Sequence, residues 1–226
     1  MDLSPAQPVT FLVGTTPVSG LWQQAPDSWA LYVMAHGAGA GMRHAFMGGM
    51  AEALALQGIS SLRYQFPYME KRGKRPDSPA LCQATVRAAV SLARTLAPEL
   101  PLIAGGKSFG GRMTSQAQAD SPLEGIKGLA FLGFPLHPPK QPSATRADHL
   151  AKVDLPMLFV QGTRDALADP AWLGPVVERL GARARLSLVE GADHAFHVPV
   201  RARRSDSDVL AELASILAAW SRSTIG

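Results

Sequence analysis

The chain has 226 residues, of which 46% are hydrophobic and 18% are charged, with a net charge of +4 and an isoelectric point near 9.5. Its single cysteine, Cys82, excludes an intrachain disulfide and any metal site made of several cysteines. No stretch approaches the ~18 continuous apolar residues of a membrane-spanning helix, and the first residues lack the basic and apolar regions of a secretory signal. We therefore expect a cytoplasmic protein with one domain over residues 1–226.

The predicted elements alternate between strands and helices. Two short runs, residues 10–13 and 18–22, are expected to open the chain as an antiparallel pair, and residues 31–35 begin a series of buried strands. Further strands are predicted at residues 59–64, 102–104, 128–134, 157–160 and 186–189, and helices at residues 44–57, 78–96, 109–119, 171–180 and 205–221. This alternation predicts an α/β fold, a doubly wound and mostly parallel sheet of about seven or eight strands with helices on both faces.

A glycine-rich loop, His-Gly-Ala-Gly-Ala-Gly at residues 36–41, follows the strand at residues 31–35. Backbone N–H groups in such a loop can stabilise an oxyanion, and Ala38 is our choice for one donor. His36 would hold the loop through hydrogen bonds. A phosphate cradle is the alternative, but the loop lacks both the G-x-G-x-x-G spacing and the lysine of a P-loop.

A basic loop at residues 70–75, Glu-Lys-Arg-Gly-Lys-Arg, comes after the strand at residues 59–64 and should emerge at the same sheet edge. Arg72 and Arg75, with the nearby Tyr68, are candidates for binding an anionic substrate such as a carboxylate-bearing ester. The alternative is a solvated basic loop without a ligand.

The sequence Gly-Lys-Ser-Phe-Gly at residues 106–110 lies between a short apolar run and a predicted helix. In this setting Ser108 would be a nucleophile on a sharp strand-to-helix turn, where flanking glycines allow close approach of the strand and the helix. The N–H of Phe109, directly after the serine, would be the second oxyanion donor. A glycine-rich loop without chemical consequence is the alternative.

The proline-rich connection at residues 135–156 is too short for a helical lid. We predict no large cap domain and an open, shallow site with walls formed by this segment and nearby loops. That architecture argues against activity on long-chain lipids. The segment could equally be a surface connection stiffened by proline.

A carboxylate and an imidazole follow in the order that a serine nucleophile requires. Asp165 comes just after the strand at residues 157–160, and His194 just after the strand at residues 186–189. His194 would take the proton of Ser108 and Asp165 would orient the imidazole. The rivals are weaker: His197 lies further from its strand, and two further aspartates lie at a proline-containing turn or before a strand, Asp169 and Asp154.

A second basic cluster at residues 201–204 and the positive net charge permit weak attraction to nucleic acid. The sequence contains no nucleic-acid-binding motif, however, and its basic residues are not interleaved with aromatic residues. We therefore predict no specific nucleic-acid partner. A protein partner or a homodimer stays open.

These segments together resemble the α/β-hydrolase superfamily, in its compact type without a cap. The chain is similar to dienelactone-hydrolase-like enzymes and closer to the hydrolase-like family of testis-expressed protein thirty and the third subunit of the non-specific lethal complex. The resemblance is carried by HGAG at 36–39 with MRH at 42–44, RYQFPY at 63–68, GGKSFGGR at 105–112, GFPLHPP at 133–139, QGTRD at 161–165 and DHAF at 193–196. It implies an α/β-hydrolase fold without implying a substrate, and some relatives resemble parts of larger assemblies.

The leading hypothesis is a serine hydrolase that acts on a small ester or thioester through an acyl-enzyme intermediate, without a metal or another cofactor. Acyl transfer to an acceptor other than water shares the first half of this reaction. The contrasting hypothesis is a non-catalytic interaction module or complex subunit that retains the fold.

Overall fold

An eight-stranded sheet forms the centre of the molecule in the computed structural model, which describes residues 3–225. The strand order is β1-β2-β4-β3-β5-β6-β7-β8. β2 pairs antiparallel with both of its neighbours, β1 and β4, and all other neighbouring strands pair parallel. The mostly parallel sheet and its opening antiparallel pair are thus confirmed. The strands are β1 (Gln7–Val13), β2 (Thr16–Gln23), β3 (Ala30–Ala35), β4 (Ile59–Tyr64), β5 (Leu102–Lys107), β6 (Ile126–Leu132), β7 (Met157–Gly162) and β8 (Ala184–Val189).

Helices cover both faces of the sheet, as predicted. One face packs against α1 and α6 through side chains such as Met50 and Leu213, and the other packs against α3, α4 and α5 through Val86, Met113 and Leu173. The α-helices are α1 (Ala45–Ala55), α2 (Pro67–Glu70), α3 (Pro79–Leu96), α4 (Phe109–Asp120), α5 (Pro170–Leu180) and α6 (Asp206–Ile225). None of the helices described between residues 3 and 225 combines the length and the apolar character needed to cross a membrane.

The central strands are apolar because both of their faces are covered. Every residue of β3 and of β7 is buried, which agrees with their continuous hydrophobic runs in the sequence. Cys82 is a free buried cysteine of α3 and belongs to the core on that face. Burial raises the pKa of its thiol to about 12.

Several boundaries differ from the sequence prediction. β5 runs on to Lys107 rather than ending at Ala104, because Gly105 and Gly106 pair with β6 despite the low strand preference of glycine. The prediction also missed the short helix α2 and a 3₁₀ helix at Thr145–Lys152 in the connection between β6 and β7. That connection contains no cap domain, as expected from its length.

The parallel strands direct the loops that carry the candidate site to one edge of the sheet. β3, β5, β6, β7 and β8 are adjacent and share one direction, so their carboxyl ends meet at this edge. The loops after β3, β5, β7 and β8 contain Ala38, Ser108, Asp165 and His194. The sheet topology therefore brings together residues that are far apart in the chain.

Candidate active site

Ser108 lies in a sharp turn between β5 and α4. Its backbone has φ 49° and ψ −116°, a conformation that side-chain-bearing residues rarely adopt and that costs about 1–3 kcal/mol. Its N–H donates to the carbonyl of Leu132, 3.1 Å away, so the turn is anchored to β6. The Ser108 side chain is half-buried and faces a cavity. The rest of the sheet thus holds this strained backbone in place and keeps the hydroxyl accessible.

The glycines on either side of Ser108 are required by close backbone contacts. A Cβ atom on Gly106, which has φ 142°, would lie 2.1 Å from the carbonyl oxygen of Ala35. A Cβ atom on Gly110 would lie 2.5 Å from the same oxygen and 2.6 Å from that of His36. Both obstacles are backbone atoms, which cannot move aside as a flexible side chain can. The strand and the helix can therefore approach the end of β3 only with glycine at these positions.

Ser108, His194 and Asp165 form a continuous hydrogen-bonded chain. The Oγ atom of Ser108 lies 2.8 Å from Nε2 of His194, and Nδ1 of His194 lies 2.7 Å from Oδ2 of Asp165. Asp165 is buried, and the side chain of His194 is 26% exposed. Because an ionised carboxylate only accepts hydrogen bonds, Nδ1 of the neutral imidazole carries the proton and Nε2 is free to accept from Ser108.

The carboxylate of Asp165 is oriented by further donors. The N–H of Leu167 donates to Oδ1 over 2.8 Å, and the Nε2 amide of Gln161 donates to Oδ2. With His194 these groups engage both carboxylate oxygens. They fix the plane of the carboxylate and thereby the direction of the imidazole.

The structure places the rival candidates elsewhere. His197 is exposed and pairs with Asp206 over 3.0 Å, and this hydrogen bond raises the pKa of its imidazole. Asp169 caps α5 by accepting from the N–H of Ala171, and Asp154 is exposed beside Arg183. None of these three side chains is bonded to Ser108.

The loop after β3 is shaped by a buried histidine. Nδ1 of His36 donates to the carbonyl of Gly37 over 2.7 Å, and Nε2 accepts from the N–H of Phe66 over 3.2 Å. Burial lowers the pKa of His36 to about 4, so the ring is neutral at pH 7. The N–H of Gly39 donates to the hydroxyl of Tyr68 over 2.9 Å. These contacts fix the loop beside Ser108, and His36 has the structural position that the sequence indicated.

The two predicted oxyanion donors belong to the loop after β3 and to the start of α4. Ala38 lines the same cavity as the Ser108 hydroxyl. Phe109 is the first residue of α4, where the N–H has no partner within the helix, and the positive end of the helix dipole adds to its attraction for an anion. Their role as donors stays a prediction that this placement supports.

A cavity of about 610 Å³ opens beside Ser108 and His194. Its walls come from the loop after β3, from the starts of α1 and α6, and from the loop after β8, with Leu167 from the loop after β7. The apolar lining consists of Ala38, Ala40, Ala45, Phe46, Met47, Leu167, Ala195, Phe196, Val209 and Leu210. The residues between 135 and 156 contribute nothing to this lining, so our prediction that the proline-rich segment forms the walls was wrong. This segment follows β6, whereas the cavity lies towards α1 and α6.

The three candidate substrate contacts from the basic region do not line the cavity. Arg72 and Arg75 are exposed, and Tyr68 is buried with its hydroxyl bonded to Gly39. The side chain of Tyr68 thus supports the loop after β3. The cavity gives no support to the prediction that these residues bind an anionic substrate.

Sequence reasoning missed Lys107, which lines the cavity directly before Ser108. Its ammonium donates to the carbonyl of His194, and burial lowers its pKa to about 8. A lysine at the end of an otherwise apolar, fully buried strand is the signal that was available in the sequence. No group of three or more His, Cys, Asp or Glu side chains within residues 3–225 is placed to hold a metal ion.

Comparisons with known proteins show the family and the fold. A family model described as an alpha/beta hydrolase domain matches residues 28–222, which is most of the chain. The match begins just before β3 and includes every strand that carries a site loop. It thus covers Ala38, Ser108, Asp165 and His194.

Solved structures share the fold over nearly the whole chain. Dienelactone hydrolase from Anabaena variabilis is 21% identical, with a TM-score of 0.78 and coverage of 98% of this chain and 99% of that one. The esterase domain of a Rhodothermus marinus protein is 17% identical, with a TM-score of 0.75 and coverage of 99% and 100%. A serine hydrolase without a lid from Xanthomonas campestris is 22% identical, with a TM-score of 0.73 and coverage of 99% and 97%.

Proposed function

Because the chain belongs to the alpha/beta hydrolase family, we propose that it is a serine hydrolase that cleaves a carboxylic ester or thioester through an acyl-enzyme. One observation carries the proposal: the unbroken hydrogen-bonded chain from Ser108 through His194 to the buried Asp165. It supplies a nucleophile, a base and an orienting carboxylate beside a cavity that can hold a substrate.

The first half of the reaction acylates Ser108. The Oγ atom attacks the substrate carbonyl carbon while its proton moves to Nε2 of His194, which gives a tetrahedral oxyanion and an imidazolium. Asp165 stabilises the imidazolium through Nδ1. The oxyanion collapses, the bond to the leaving alcohol or thiol breaks, and the proton on Nε2 passes to that leaving group.

The oxyanion would be stabilised by the N–H groups of Ala38 and Phe109. The hydrogen bonds of His36 and Tyr68 fix the loop that carries Ala38. The strained turn at Ser108 fixes the other donor at the start of α4. Donors that are already in place need no reorganisation during the reaction, and one such donor typically contributes a few kcal/mol.

The second half of the reaction releases the acyl group. With the leaving group gone, the neutral imidazole takes a proton from a water molecule, which attacks the acyl carbonyl; collapse of the second oxyanion returns the proton to Oγ. Another alcohol or amine in place of water would make the same protein an acyltransferase. Product analysis with and without added alcohol separates these outcomes.

The cavity favours a substrate with an apolar group next to the reacting carbonyl. Side chains such as Phe46, Met47 and Leu210 form most of its wall, and about 610 Å³ accommodates a compact acyl or alcohol group. We therefore expect esters with short acyl chains or with a compact ring to be hydrolysed better than esters with long acyl chains.

Covalent labelling by a fluorophosphonate tests the proposal directly. Wild-type protein should be labelled and should hydrolyse a short-chain nitrophenyl ester, whereas Ser108→Ala should lose both properties. Ser91→Ala is the matched control, because Ser91 is exposed on α3 and remote from the cavity. Equal absence of labelling in wild type and in Ser108→Ala would overturn the proposal and favour a non-catalytic interaction module.

A further inference from the structure

Lys107 joins the strand that carries the nucleophile to the loop that carries the base. It is the last residue of β5, and its side chain runs beneath residues 190–199, here called the His194 loop. The ammonium donates to the carbonyl oxygen of His194 over 2.5 Å. It also lies 5.1 Å from the ring centroid of Phe196 and 5.6 Å from that of Phe46.

This cation is buried without a directly bonded carboxylate. Lys107 is 9% exposed, and within residues 3–225 no carboxylate oxygen comes within 4.0 Å of its ammonium. The nearest negative charges, Asp165 and Asp193, act on it through space. A buried charge with so little compensation costs free energy, and an apolar side chain would fill the end of β5 at lower cost.

The His194 loop is internally braced, and its first residues are attached to the loop after β7 by the N–H of Gly191, which donates to Oγ1 of Thr163, and by the carbonyl of Ala192, which accepts from the N–H of Arg164. The side chain of Asp193 accepts from the N–H groups of Ala195 and His197, and the N–H of Phe196 donates to the carbonyl of Asp193. Phe196 has φ 68°, a strained conformation that turns the chain at this point. These contacts brace residues 193–197, and His197 attaches them to Asp206 of α6. The hydrogen bond from Lys107 ties them directly to β5, the strand that leads into Ser108.

We propose that Lys107 is a positioning residue, whose ammonium fixes the backbone of His194 at the distance from Ser108 that proton transfer requires. The inference rests on the proposed serine hydrolase function. Because Lys107 and Ser108 are adjacent, a single peptide unit relates the nucleophile to the group that holds the base. Lys107 acts through His194: its ammonium donates to a backbone carbonyl, while the Ser108 hydroxyl is bonded to the imidazole.

The same ammonium stabilises one wall of the cavity. The rings of Phe46 and Phe196 stack with centroids 5.7 Å apart and an angle of 14° between their planes, and the ammonium lies within cation–π distance of both. Phe46 belongs to α1 and Phe196 to the His194 loop. Loss of the charge should therefore loosen substrate binding as well as proton transfer.

The positioning depends on the charge of Lys107 and so on pH. The titratable groups that face it are Asp165 from the loop after β7, Asp193 and His194 from the His194 loop, and Ser108 beside it in the chain. Burial lowers the pKa of Lys107 from 10.5 to about 8. The ammonium is thus present below about pH 8, and kcat should fall as the pH rises through this value and the charge is lost.

Two substitutions test the proposal, with Lys127→Met on the exposed side of β6 as the matched control. Lys107→Met should lower kcat by about 10- to 100-fold and slow fluorophosphonate labelling to a similar degree. Its melting temperature should not fall, because the substitution removes a costly buried charge. Lys107→Arg keeps a positive charge at high pH, so it should restore part of kcat and move the alkaline decline to higher pH.

The outcomes separate the two proposals. Absence of labelling in the wild type removes the proposed function itself, whereas a labelled wild type with unchanged kcat and pH profile in Lys107→Met overturns only the role of Lys107. Activity lost in proportion to a lower melting temperature would make Lys107 a purely structural residue and would also overturn it. If Lys107→Met fails to fold, the dependence of kcat on pH in wild type and in Lys107→Arg decides. A decline of kcat at the same alkaline pH in both proteins would overturn the proposal.

Discussion

The loops after β3 and β8 each carry a histidine whose two ring nitrogens are both hydrogen-bonded, yet the bonding partners differ. His36 is fully buried, and both of its partners are backbone groups, the carbonyl of Gly37 and the N–H of Phe66. The side chain of His194 is 26% exposed, and its partners are the side chains of Asp165 and Ser108. The same residue type thus holds the backbone in one loop and is bonded to a serine hydroxyl in the other.

The difference shows what decides the use of a histidine. His36 cannot gain a proton without placing an unsolvated charge in the core and losing the bond from Phe66, so it keeps one tautomer and shapes the backbone. His194 has an acceptor nitrogen directed at a hydroxyl and a carboxylate behind the ring, so Nε2 can accept the proton of that hydroxyl while the carboxylate stabilises the resulting imidazolium. Both rings lie at the same edge of the sheet, so the difference between them comes from their burial and from the groups to which they are bonded.

Replacing His194 should have the largest effect and should act on activity alone. We expect His194→Gln to lower kcat by about 10³-fold or more, since Ser108 loses its base, while the melting temperature changes little because the side chain is partly exposed. Steady-state kinetics and a thermal melt measure the two effects. His197→Gln is the control in the same loop, and an equal loss of activity there would contradict the comparison.

Crowding the contact between the Ser108 turn and the loop after β3 should have the next largest effect. Gly110→Ala places a Cβ atom against the backbone oxygens of Ala35 and His36, so we expect a loss of about 3 kcal/mol or more in the free energy of unfolding. Gly174→Ala is the matched control. It lies in α5, where an added methyl group would meet no atom within 4 Å outside its own helix and its chain neighbours. Because Pro175 follows and disfavours a helical residue with a Cβ atom before it, we expect the free energy of unfolding to change by less than about 1 kcal/mol.

Denaturant unfolding of both variants gives the two free energies. If Gly110→Ala is as stable as the wild type, the close approach of α4 to β3 does not constrain the turn. The comparison with Gly174→Ala separates this steric effect from the general preference of helices for alanine.

His36 should affect how the free energy of unfolding depends on pH. The pKa of His36 is lowered from 6.5 to about 4, so below pH 6.5 the unfolded chain binds a proton that the folded chain does not. Its contribution, about 3 kcal/mol, is present above pH 6.5 and is lost as the pH falls towards 4. His36→Gln should therefore be less sensitive to acid over this range, whatever its stability at pH 7.

Unfolding free energies between pH 4 and 7 test this prediction. His149, whose pKa burial also lowers to about 4, keeps its own share of the acid sensitivity in the variant. If the free energy of unfolding falls equally steeply with decreasing pH in wild type and in His36→Gln, burial does not keep the imidazole of His36 neutral in the folded protein.

The sequence predicted the features that depend on local pattern and strand order. Alternating apolar runs and amphipathic segments gave the parallel sheet, and the position of each polar residue just after a strand placed Ser108, Asp165 and His194 at one edge. Residues 86 apart were thereby expected to meet, and the structure places Ser108 and His194 in hydrogen-bond contact. The catalytic roles stay predictions until Ser108→Ala and His194→Gln are measured.

The features that depend on tertiary packing were not accessible from the sequence. Whether Lys107 points to solvent or under the His194 loop depends on a partner 87 residues away, and no local pattern specifies that contact. From the sequence, we predict that the proline-rich segment forms the cavity walls together with nearby loops, but this segment does not line the cavity. The walls come instead from α1, α6 and the His194 loop, since the position of Ser108 relative to these helices is set by the packed sheet.

The wide spacing of the site residues along the chain has a consequence for biosynthesis. β5, β7 and β8 are neighbours or near neighbours in the sheet, but helices and long connections separate them in the sequence, and such non-local pairing is slow to form. In a nascent chain, Ser108 therefore lacks the imidazole of His194 until β8 and the loop after it have been synthesised. Under the proposed function, activity requires Ser108, Asp165 and His194 together, so its recovery during refolding would report that β5, β7 and β8 have assembled.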